Sequence, residues 1–107
     1  MEKDDIFTST GKDLAKIIEI LKELDNFIKD KYNAEIIGLF GSYSRGEQKV
    51  GSDVDILVKF CEGATLFDFV GLAEFLEEKI DLKVDIVSER AIREELKDQI
   101  LKEVVTI

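Results

Sequence analysis

Residues 38–60 read GLFGSYSRGEQKVGSDVDILVKF, and this stretch decides the fold. One apolar run, AEIIGLF (34–40), ends in a glycine turn. A second, SDVDILVKF (52–60), opens with two acids separated by a valine. Short apolar runs bounded by glycine and serine read as strands. Side chains alternate across a strand, so Asp53 and Asp55 share one face. Val54, Ile56, Val58 and Phe60 then take the opposite face, which is the core face.

Further on, LKVDIVS (82–88) alternates as a third strand. Leu82, Val84 and Ile86 have core character, while Lys83, Asp85 and Val87 face the other way. If this strand neighbours the second with core faces aligned, Asp85 joins Asp53 and Asp55 on one open surface. Three carboxylates converging there repel strongly unless cations sit between them. Carboxylates bridging divalent ions, which clamp an attacking and a leaving oxygen, make a two-metal phosphoryl-transfer site. Lys59 and Lys83 lie on the same face by parity, either as solvated side chains or as a moderating charge.

Helical periodicity surrounds these strands. Thr10, with Asp13 three positions on, reads as a cap. Leu14, Ile17, Ile18, Leu21, Leu24 and Ile28 then recur at helical spacing to about Lys31. Thr65, with Asp68, caps a second helix to about Ile80. Its face is Leu66, Phe69, Val70, Ala73, Leu76 and Ile80, and Phe67 and Phe75 point away from it. Those two rings read as part of a wide buried face, as ordinary exposed aromatics, or as a contact surface for another chain. Ser88 is expected to cap a third helix to about Leu101, and the closing EVVTI to add a fourth strand. The expectation is an α+β fold: a small mixed β-sheet with helices packed on one face. Residues 1–107 are read as one domain, the first seven loosely ordered.

Composition narrows the chemistry. A net charge of −9 over 107 residues argues against broad phosphate neutralisation, so no direct nucleic-acid binding is expected. There is no histidine, which removes Ser-His and Cys-His catalysis and imidazole metal sites. Any metal must be held by oxygen, which favours Mg²⁺ with Mn²⁺ as a substitute. Cys61 is the single cysteine, expected as a buried inert thiol, and no internal disulfide can form. The charged N-terminus and the lack of a long apolar run lead to the expectation of a cytoplasmic protein without membrane contact.

The Gly-Ser turn supplies a phosphate-binding half to the site. Gly41 lets backbone approach a phosphate closely, and N–H groups opening a short helix would point at it. Ser42 adds a hydroxyl, and Arg45, one turn on, reaches toward the outer phosphates of a triphosphate. The stretch is not a Walker loop, which requires Gly-Lys-Ser/Thr. Taken singly, each of these residues is ordinary turn chemistry or solvated surface. In this order, with a third acid on matching parity, they point to function.

Gly41-Ser42, ten residues, then Asp53-x-Asp55 resembles the signature of the DNA polymerase beta-like nucleotidyltransferase superfamily. The fuller string FGSYSRGEQKVGSDVDILV, with Arg45-Gly46 and Ser52-Asp53, is similar to its minimal nucleotidyltransferase (MNT) branch. The resemblance implies catalytic, metal-binding roles for Asp53, Asp55 and Asp85. It implies nucleotide binding by Gly41, Ser42, Arg45 and Ser52, with two Mg²⁺ ions as cofactors and ATP as the substrate. Stand-alone MNT proteins resemble the antitoxin half of HEPN/MNT pairs, in which AMP is transferred to a tyrosine of a HEPN ribonuclease toxin. That makes a HEPN-type toxin the expected partner. Two other readings stay open: a non-catalytic antitoxin that neutralises by complex formation, and a small-molecule nucleotidyltransferase. The last would need an acceptor-holding module for which the chain has little length left.

Overall fold

The computed structural model describes residues 13–107, so the Thr10 cap and the loosely ordered residues 1–7, both expectations from the sequence, lie outside the described residues. The described cap is Asp13, whose carboxylate accepts the Lys16 N–H at 2.9 Å. Helix α1 (Leu14–Tyr32) follows, with Ile17, Leu21 and Ile28 fully buried along its apolar stripe. Asn33 ends it in the left-handed conformation, φ 53°, which asparagine tolerates better than most residues.

The chain then enters β1 (Ala34–Phe40), the four-residue helix α2 (Ser42–Arg45), β2 (Val54–Phe60) and α3 (Leu66–Ile80). It continues through β3 (Val84–Ser88), a single 3₁₀ turn (Glu89–Ala91), α4 (Glu94–Glu103) and β4 (Val105–Thr106). The sheet order is β3-β2-β1-β4. β1 runs antiparallel to β2 and β4, while β2 and β3 are parallel and joined through the crossover helix α3. This is the expected mixed sheet of an α+β fold.

A register shift between Ile36 and Gly38 inverts the parity of β1. It lets Ala34, Ile36 and Leu39 all enter the core, where strict alternation would have turned Leu39 away. With Val54, Ile56 and Val58 from β2 they form one apolar layer, covered by α1 and by Leu72, Leu76 and Ile80 of α3. The opposite face is not bare: Leu57 is fully buried there, opposite Gly38 and Val87 in the strand ladder.

Helix α3 begins as expected, with a reciprocal capping box between Thr65 and Asp68. Its buried face is rotated from the expected one. Leu72, absent from that list, is fully buried, whereas Leu66 and Val70 are exposed. Both sit in the first two turns of the helix. Phe75 does not stand apart: its ring stacks on Phe27 at 5.1 Å and lies 5.5 Å from Tyr32. Phe67 alone fits the expectation, 88% exposed.

Two further expectations fail. Ser88 caps only the 3₁₀ turn and makes no side-chain cap bond; α4 starts at Glu94, after the extended Ile92 and Arg93. Cys61 is exposed, because β2 ends at Phe60 and Cys61 already belongs to the turn, its N–H donating to Asn33 O at 2.8 Å. Among the described residues no helix is long and apolar enough to cross a membrane.

Candidate active site

Strand pairing assembles the acids. Asp55 lies opposite Phe40 on β1 and opposite Asp85 on β3. Asp53 stands one step before β2, where the Val54 N–H donates to Lys83 O at 2.8 Å and starts the parallel ladder. Asp55 is half-buried, whereas Asp53 and Asp85 are exposed. Burial pushes the Asp55 carboxyl above its ordinary value, and the charges of Asp85 and Asp53 push it further. Arg45 acts weakly in the other direction. A central acid that is partly desolvated and flanked by two like charges is a place where a divalent cation lowers the energy.

The turn before it is tailored to Asp55. Gly41 has φ 77° and ψ −152°, and a Cβ there would overlap Asp55 Oδ2. Glycine is thus required twice, for the backbone angle and for the space taken by the carboxylate. Gly41 O accepts from the Ser44 N–H, the Arg45 N–H and the Ser44 hydroxyl at 3.1, 3.3 and 2.8 Å. Tyr43 anchors α2 from below. It is 3% exposed within the core, and burial raises its phenol pKa. Ser42, the first residue of α2, follows Gly41 directly and is half-buried.

The remaining two candidates are engaged by groups of the protein itself. Ser52 closes its own turn: its Oγ accepts the Lys49 N–H and its N–H donates to Lys49 O, both at 2.9 Å. Arg45 donates through Nε to Glu47 at 2.8 Å and through Nη1 to Glu103 at 3.1 Å. Neither acid was a candidate from the sequence.

The donor set suits a hard divalent cation, since every candidate ligand is a carboxylate oxygen. As the side chains stand, no three acids among the described residues converge on a single ion position. Asp85 meets Asp55 through strand register rather than through a shared ligand geometry.

Residues 9–107 match the model of the nucleotidyltransferase domain family. The chain belongs to that family. The protein adenylyltransferase MntA of Thermococcus cleftensis is 39% identical over 94 residues, covering 88% of this chain and 95% of the relative. A solved minimal nucleotidyltransferase superposes with a TM-score of 0.77 at 36% identity, covering 90% of this nucleotidyltransferase and 97% of that chain. A chain from the complex of tri-AMPylated Shewanella oneidensis HEPN toxin with MNT antitoxin superposes with a TM-score of 0.54 at 27% identity. That match covers 86% of this chain and 66% of the other.

Proposed function

We propose that this nucleotidyltransferase transfers AMP from ATP to a tyrosine of a HEPN-type toxin and thereby acts as its antitoxin. The observation that carries the reading is the pairing of Asp55 with Asp85, next to a glycine turn that only a residue without Cβ can make. The AMPylated toxin in the related complex supports the acceptor class.

In this reading Asp53, Asp55 and Asp85 are the residues that would hold Mg²⁺, which when bound would supply charge neutralisation at the transferred phosphoryl group. Gly41 and Ser42 hold the β- and γ-phosphates, and Arg45 meets the outer phosphates. Ser52 serves by fixing the turn that aims Asp53. The tyrosine oxygen attacks the α-phosphorus in line as the bond to the pyrophosphate oxygen breaks. Asp85, exposed on the edge strand β3, would accept the phenol proton.

Intact-mass spectrometry of the HEPN protein incubated with this chain, ATP and Mg²⁺ tests the reading. The expected result is a gain of whole AMP units on the toxin, absent with the Asp53→Asn/Asp55→Asn double variant. A stable complex with no mass gain would replace it with the non-catalytic antitoxin.

A further inference from the structure

The ion pair between Arg45 and Glu103 joins residues 58 positions apart and ties the glycine turn to the end of the last helix. Its placement follows from β4. Val105 and Thr106 pair with Leu39 and Gly38 of β1, two steps before the Gly41 turn. That docking depends on Gly38, where a Cβ would overlap Val105 O. Glu103 is therefore delivered to the turn by the sheet, not by a free tail.

Arginine is a long side chain whose rotamer freedom must be surrendered whenever it binds. Here Glu47 restrains Nε, but as a neighbour on the same turn it moves with Arg45. Glu103 belongs to a different element and restrains Nη1 relative to the sheet. Among the described residues the two bonds use only part of the guanidinium edge, which leaves its other N–H groups to meet an anion.

We propose that Glu103 is a positioning residue for nucleotide: through this ion pair it fixes the Arg45 guanidinium beside the Gly41 turn, so that the free N–H groups meet the outer phosphates of a triphosphate. The inference rests on the nucleotide-binding reading of the turn given above. It requires that loss of Glu103 weaken triphosphate binding through Arg45, and that a monophosphate, which lacks the outer phosphates, not register the loss.

Titration calorimetry with Mg²⁺-AMP-PNP and with AMP, on the wild type, Glu103→Gln, Arg45→Ala and the double variant, tests it. Glu103→Gln should weaken AMP-PNP by up to about fivefold, the range of one exposed ion pair, with AMP unchanged. The double variant should bind no worse than Arg45→Ala alone, because the two residues act as one unit. A Glu103→Gln variant that binds AMP-PNP as well as or better than wild type overturns the inference, the tighter case making Glu103 a competitor for Arg45. So does an equal loss for both ligands, or a double variant whose losses add in full. A wild type that binds neither ligand removes the nucleotide reading itself, and Glu103 with it.

Discussion

The two faces of β2 use alternate residues of one strand for opposite purposes. Val54, Ile56 and Val58 are fully buried against α1 and α3. On the other face, Asp53 and Asp55 sit beside Asp85 at the start of the strand, and Lys59 is exposed near its end. The apolar face gains free energy from burial, while the acidic face spends some of it holding like charges together. Substitutions on the two faces should therefore separate stability from chemistry.

Asp53→Asn should cause the largest change of all, in activity alone. Transfer should fall by about a thousandfold or more, the scale of losing a metal's charge stabilisation of several kcal/mol. The far-ultraviolet circular dichroism and melting temperature should stay near wild type, since Asp53 is exposed. Retained transfer would dissolve the division of labour between the faces.

Ile56→Ala tests the other face. Ile56 is fully buried in the central layer, and truncation there costs about 2–5 kcal/mol in denaturant titration. Whatever protein remains folded should keep its specific activity. A fall in activity without a fall in stability would mean that the core face reaches the chemistry.

How far the sequence disclosed these faces can be traced residue by residue. Period-two alternation was sufficient for β2 and β3, and because the ladder joins Val54 to Val84, it also brought Asp55 and Asp85 into register. The bulge in β1 was hidden, since Ile36, Ile37 and Leu39 are apolar at either parity. Glu103 and Gly38 were hidden for a different reason. Their importance lies in β4 returning to β1, a long-range pairing of two residues that no local pattern announces. Arg45 could be placed beside the turn from helical spacing, but its partners at positions 47 and 103 could not. The rotation of α3 escaped because Leu66 and Val70 repeat at helical spacing although both are exposed.

Phe75 and Phe67 extend the comparison to α3. Phe75→Asp would bury a charge among Phe27, Tyr32 and Lys79, the last 5.6 Å from its ring centroid. Partial burial and the nearby lysine limit the damage to roughly 1–3 kcal/mol in thermal or denaturant unfolding. Phe67→Asp, on an 88% exposed ring, should stay within about 0.5 kcal/mol of wild type. Equal effects at the two positions would mean that the α1–α3 aromatic contact contributes nothing.

The smallest effect expected is also the one that bears most directly on the cost of the acidic face. Burial, Asp85 and Asp53 together raise the folded pKa of Asp55 above the ordinary value of 3.8. A carboxyl raised on folding binds its proton more tightly in the native state. Its stabilising contribution is therefore complete below the unfolded pKa and is lost as pH rises through the folded one. At neutral pH the ionised Asp55 is a net burden, so Asp55→Asn should melt slightly higher than wild type. Below about pH 4, where the carboxyl is protonated in both states, the advantage should vanish. Mg²⁺ should narrow the gap at neutral pH by stabilising the wild type alone. A variant that melts lower than wild type at pH 7 without metal would mean that Asp55 is held by contacts favouring its charge, and that the acidic face carries no cost.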